Sequence, residues 1–171
     1  MALNLVNLDS AVRKLMLEEI NADIKNDNLY ISSRLSQTGV KDYPDLLKEA
    51  VQSHDDAWLA SQLSLSGRIN PTEMRSGSPI KMRHDANEVL ASSEFNRFYL
   101  RGLCLWAIQN NKPTLTIYRA RNVTSPRPAS EAKIGSTISP QMLLDDLRKN
   151  IGIETTLGVP EVNSGLSAKL S

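Results

Sequence analysis

The chain has 171 residues, 40% hydrophobic and 23% charged, and its twenty basic and nineteen acidic side chains leave a net charge of +1. That length supports one proper core rather than two, and the composition is that of a folding chain, not a disordered one. The charge balance excludes the whole-chain basic excess of a protein that coats nucleic acid or anionic lipid. Cys104 stands alone, so an intramolecular disulfide and a multi-thiolate zinc site are both excluded. The N-terminus lacks a basic segment followed by an apolar core, and no apolar run approaches the ~18 residues that span a bilayer. The expectation is a protein of the reducing cytosol, or of a particle assembled there, with no membrane partner.

Asp9 caps a predicted helix over 10–25, whose apolar positions Val12, Leu15, Met16, Ile20 and Ile24 recur at helical spacing. Asn26-Asp27-Asn28 ends it, and Leu29 to Ile31 reads as a short extended piece before a turn at Gly39. Asp42, with Pro44 in the first turn, opens a second helix through Leu46, Leu47, Ala50 and Val51. Asp55 opens a third, with Trp58, Leu59, Gln62 and Leu63 facing inward. These helices make a helical half over 1–63. Residues 64–79 are rich in serine, glycine and proline and read as a long, mobile or partner-ordered excursion. A helical region then runs from Asp85 to about Asn110, with a candidate break at Ser92-Ser93. Phe95, Phe98, Tyr99, Gly102, Leu103 and Trp106 share one face, and Leu100, Cys104, Ala107 and Ile108 make the rest apolar, which predicts a buried central helix.

Thr114 to Arg119 alternates β-branched and aromatic residues and reads as a strand. Its candidate partners are Leu29 to Ile31, Ile80 to Met82 and Leu157 to Val159. Central helix and strand together span 85–121. Ser139-Pro140 supplies a cap and a first-turn proline for a last helix through Met142, Leu143, Leu144 and Leu147. Residues 159–171 show no period and little apolar surface, which predicts an extended C-terminal arm beyond a helix-rich domain over 1–158. The predicted fold class is thus a helix-dominated, single-domain α+β protein with a small sheet around 114–119.

Between Phe95 and Lys133 seven basic residues face the single acid Glu131. Arg97 and Arg101 share a helix face, and Arg119 and Arg121 share a strand face, so each pair can grip a phosphate or carboxylate at two points. Arg127 lies between Pro126 and Pro128, which restrict its backbone. These five arginines are the candidate anion- or partner-binding residues. The competing reading is internal ion pairing with Glu88, Glu94 and Glu131. Tyr118 is the ring expected to face outward beside Arg119. In the arm, Asn163, Ser164, Leu166 and Leu170 are the candidate subunit contacts.

Catalytic motifs are not evident. His54 and His84 each precede an aspartate, and adjacent residues do not form a dyad; helix capping by Asp55 and Asp85 accounts for both. The eight glycines are scattered, so no phosphate loop occurs. No metal site, cofactor or catalytic residue is assigned, and an enzyme ranks last among the function classes.

The segments Ser93-Glu94-Phe95-Asn96-Arg97-Phe98-Tyr99, Tyr118-Arg119-Ala120-Arg121, Pro126-Arg127-Pro128-Ala129-Ser130-Glu131 and Asn163-Ser164-Gly165-Leu166-Ser167 together resemble an uncharacterised family of bacterial genomes and phages. Glu94 to Tyr99 also resembles the Glu-x-Asn-Arg-x-Tyr helix of minor head morphogenesis proteins of tailed phages, without the Cys/His-rich segment that often follows there. This second resemblance implies a structural or assembly protein of the virion, at the head or neck, whose partners are other copies of itself or other virion proteins. The alternative is a phage- or host-encoded module that binds nucleic acid or a phosphorylated small molecule through the arginine segment. Localisation would accordingly be the virion or the bacterial cytoplasm. On the assembly reading, the arm lies over a neighbouring subunit, and its deletion leaves a folded monomer.

Overall fold

A computed structural model describes residues 2–171. Six helices and two small sheets form a single α+β domain, as the sequence predicts: α1 (Ser10–Lys25), α2 (Gln37–Ser53), α3 (Asp56–Ser64), β1 (Thr72–Arg75), β2 (Ser78–Lys81), α4 (Ala86–Gln109), β3 (Leu115–Arg119), α5 (Pro128–Glu131), β4 (Thr137–Ile138), α6 (Pro140–Lys149) and β5 (Leu166–Leu170).

Local capping starts most of the helices. Asp9 accepts from Val12 N at 2.9 Å and Asp55 from Trp58 N at 2.8 Å, while Ser139 opens α6 ahead of Pro140. The second helix begins earlier than predicted. Ser36 Oγ caps it through Gly39 N at 3.1 Å, so Gly39 and Asp42 lie inside the helix and Pro44 falls within its body. The carbonyl that loses its donor there belongs to Val40, a residue 43% exposed, where water can replace it. Asp85 makes no cap hydrogen bond and is held instead by Arg83 at 2.7 Å and 2.9 Å.

Helix α4 runs unbroken through Ser92-Ser93 and forms the centre of the domain, with α1, α3, α6 and β5 packed on it. Ser92 turns its hydroxyl to the carbonyl of Val89 within the same helix, which removes its tendency to cap a new one. Phe95, Tyr99, Leu100, Leu103 and Cys104 are fully buried, whereas Trp106 is only partly covered. At Gly102 an added Cβ would stand 2.7 Å from Met16 Cγ and 2.9 Å from Val12 O, so glycine sets the close approach of α1.

The 64–79 stretch is tied down rather than left as an excursion. Arg68 accepts from Ser36 N through its carbonyl and pairs with Asp42 at 2.8 Å, and Asn70 bonds the carbonyls of Ser33 and Leu35. From Thr72 onward the stretch forms, with the two residues after it, the β1–β2 hairpin, closed by Ser76-Gly77, both at positive φ.

The main sheet has the order β4-β3-β5, all antiparallel. None of the three partners expected for β3 pairs with it. The partner on one side is the segment predicted to be a free arm. Strand β5 aligns with β3 from Leu115↔Leu170 to Arg119↔Leu166. Its outer edge is closed by side chains: Asn96 donates to Leu166 O at 2.8 Å, Tyr99 to Ala168 O at 3.2 Å, and Asn7 accepts from Leu170 N at 3.0 Å. Val159, Leu166 and Ala168 are fully buried. Leu166, Ser164 and Leu170 therefore serve the chain's own sheet and core; of the four arm residues only Asn163 is exposed. Among the described residues no helix is long and apolar enough to cross a membrane.

Candidate ligand-binding cleft

The four segments singled out by the sequence converge. Asn96 Oδ1 accepts from Ser167 Oγ at 2.7 Å, joining the first to the fourth. Arg119 pairs with Glu131, joining the second to the third, and also donates to Ser164 O. Arg127 and Ser130 both hold Glu161. Gly165 (φ +69) accepts from Ala120 N at 2.7 Å, and an added Cβ would lie 2.1 Å from Arg121 O, so only glycine allows this crossing of the chains.

These bonds decide most of the arginine question in favour of internal pairing. Arg101 lies buried between Asp23 (2.6 Å and 2.9 Å) and Glu19 (2.6 Å), with its guanidinium 4.9 Å from the Phe98 ring centre. Glu19 also receives Arg148, at 3.1 Å through Nε. Burial opposes ionisation of Glu19, but the hydrogen bonds and charges of Arg148 and Arg101 outweigh it and hold its carboxyl below the ordinary range. Arg97 donates to the carbonyls of Asn150 and Ile153 and so fastens the chain leaving α6. Arg101, Arg119 and Arg127 are thus paired within the domain, and Arg97 is committed to backbone carbonyls and, at 4.0 Å, to Glu94. Glu88 takes no part. Tyr118, expected outside, is half-buried and donates to Asn4 O at 2.6 Å.

Arg121 differs. Among the described residues it has no carboxylate within ion-pair distance, and its one side-chain bond is a long one to Ser92 Oγ at 3.3 Å. It lines a cleft of about 530 Å³ floored by one face of α4, including Val89, Ser93, Glu94 and Arg97. Tyr30, the Arg34–Glu73 pair (3.0 Å) and the loop residues Ile153, Glu154 and Asn163 form its walls.

Glu94 is the residue that sequence reasoning missed as a site, having placed it only as an ion-pair partner. It is 6% exposed and lines the cleft, and its carboxylate makes no hydrogen bond among the described residues; its one ion pair is a long contact with Arg97 Nε at 4.0 Å, while the two terminal nitrogens of Arg97 go to backbone carbonyls. Burial outweighs the charges of Arg97 and Arg101 and pushes its pKa up to about 7. Behind it, Tyr43 Oη is buried with no partner, and the phenol is pushed up by burial and by the charge of Glu94. Among the described residues no three His, Cys, Asp or Glu side chains gather as metal ligands.

Comparison with family models, curated proteins and solved structures finds no match. The functional argument therefore rests on the chemistry of the cleft.

That chemistry has a thermodynamic signature. Between its ordinary value of about 4.5 and about 7, folded Glu94 keeps a proton that the unfolded chain releases. Stability is therefore lost as pH rises through that window, on the order of 3 kcal/mol at its upper end. Glu94→Gln should match the wild type near pH 4 and exceed it near pH 8 in urea midpoint. Parallel pH profiles for the two proteins would mean that the carboxyl is fully solvated.

Proposed function

We propose that this domain is a binding module for a small anionic molecule, phosphorylated or carboxylated, held in the cleft on α4. The observation that carries this reading is that a cavity of ligand size is lined by both Arg121, which has no carboxylate within ion-pair distance among the described residues, and Glu94, a buried carboxyl without a hydrogen bond. In the Glu94 to Tyr99 segment, Asn96, Arg97 and Tyr99 all hydrogen-bond the fold, whereas Glu94 has only its 4.0 Å ion pair with Arg97 and costs stability at neutral pH. Such a residue is the mark of a site.

A nucleic-acid strand fits less well, because three of the five candidate arginines are paired with carboxylates and a fourth is bound to carbonyls, which leaves no cationic track. The virion-assembly reading rests on the motif resemblance.

Titration with phenyl phosphate, a nucleoside monophosphate and citrate, followed by backbone-amide NMR, is the direct test. Shifts should centre on Ser92 to Arg97 and Arg121. Arg121→Ala should weaken binding roughly tenfold or more while leaving the melting temperature unchanged. Wild-type affinity in a folded Arg121→Ala protein would overturn the anion site.

A further inference from the structure

The cleft is dipolar rather than simply cationic. Of its charged lining, Arg34 and Glu73 cancel each other, Glu161 is taken by Arg127 from outside, and Arg97 is spent on backbone carbonyls. Arg121 remains as a positive pole, with Glu94 and the exposed Glu154 as a negative one. A purely anionic ligand would satisfy Arg121 and leave the Glu94 carboxyl without a hydrogen bond, an arrangement that costs free energy for a buried polar group. A ligand that completes this cleft must bring a donor to Glu94.

We infer that the ligand is a zwitterion, an amine-bearing phosphate or carboxylate whose anionic end meets Arg121 and whose ammonium group is received by Glu94. This rests on the anion-binding reading of the same cleft and adds the second pole. An ammonium supplies both the missing hydrogen bond and the compensating charge, so Glu94 ionises as the ligand enters and releases its proton. The groups that face Glu94 are Arg97 and Arg101 from α4, Asp23 from α1 and Tyr43 from α2. The two arginines already favour ionisation but do not achieve it against burial, and an ammonium in contact is the charge still lacking. Tyr43 Oη is buried without a partner and its phenol senses the charge of Glu94, so a shift of the side chains as the ligand enters would let it donate to the carboxylate. Tyr43 is a positioning residue in this scheme. Affinity for an amine rises with pH through about 7, where Glu94 no longer has to give up a proton.

The test compares n-alkyl phosphates with ω-aminoalkyl phosphates of matched chain length by calorimetry on the full chain. For the chain length that spans the poles, the amino compound should bind roughly tenfold tighter or more than its alkyl partner. Near pH 7 its heat should vary with the ionisation enthalpy of the buffer, reporting proton release. Glu94→Gln should abolish both the amine increment and the buffer dependence while keeping alkyl phosphate binding. Tyr43→Phe should lower the amine increment without altering alkyl phosphate binding. Alkyl phosphates that bind as well as the amino series overturn the zwitterion and leave the anion site standing. An amine increment without proton release, or one retained in Glu94→Gln, places the ammonium elsewhere and overturns the assignment to Glu94. Failure of both series to bind removes the anion site and the zwitterion together.

Discussion

A chain ending at Gly158 is expected not to fold. The segment it would lose contributes β5, whose five residues pair with β3 in full register, and it covers the centre of α4. Val159 and Leu166 are completely buried; exposing or deleting such side chains forfeits ~1.5–3 kcal/mol each. Asn96 and Tyr99 would be left with amide and hydroxyl groups facing an empty channel, at ~1–3 kcal/mol for each unsatisfied group. Together these losses reach the order of 10 kcal/mol, comparable to the whole stability of a typical domain. Far-ultraviolet circular dichroism and a urea titration should show a collapsed or unfolded chain without a cooperative transition. A truncated protein that unfolds cooperatively within ~2 kcal/mol of the full chain would restore the independent arm.

Arg101→Ala should destabilise the domain by about 3–5 kcal/mol, the range for removing one partner from a buried ion pair. Two acids on α1 depend on this guanidinium, and only Glu19 has a second arginine to turn to. Glu19 has its carboxyl held below the ordinary range, so its contribution is present at neutral pH and is lost as pH falls through its folded pKa. The deficit of the variant relative to wild type should therefore be largest at neutral pH and shrink on acidification. Chemical denaturation across that range reads it directly. An Arg101→Ala protein of wild-type stability that had lost binding to the phosphate probes would return Arg101 to the site.

Much of the architecture was legible from local signals. Asp9, Asp55 and Ser139-Pro140 each specify a helix start within a few residues of chain, because a cap and the amides it satisfies are neighbours in sequence. The apolar periodicity of α4 and the alternation of β3 likewise report burial on one or both faces without reference to anything distant. Where a local signal competed with a distant one, the reading slipped: Pro44 suggested a helix start, but Ser36 had already supplied the cap.

What local pattern could not supply were the partners. Strand β5 has no propensity that marks it, and it is a strand because β3 offers one edge while Asn96, Tyr99 and Asn7 satisfy the other, contacts that join residues 69 to 163 positions apart. The arginines show the same division. Their abundance was plain in the sequence, but whether each meets a carboxylate depends on packing of α1, α5 and the 150–165 segment against α4 and β3. Glu94 is the clearest case. Its type and helical position were visible from the start; that it is buried, faces a cavity and lacks a hydrogen bond is set by the tertiary structure, because desolvation and pairing are properties of the surroundings and not of the residue.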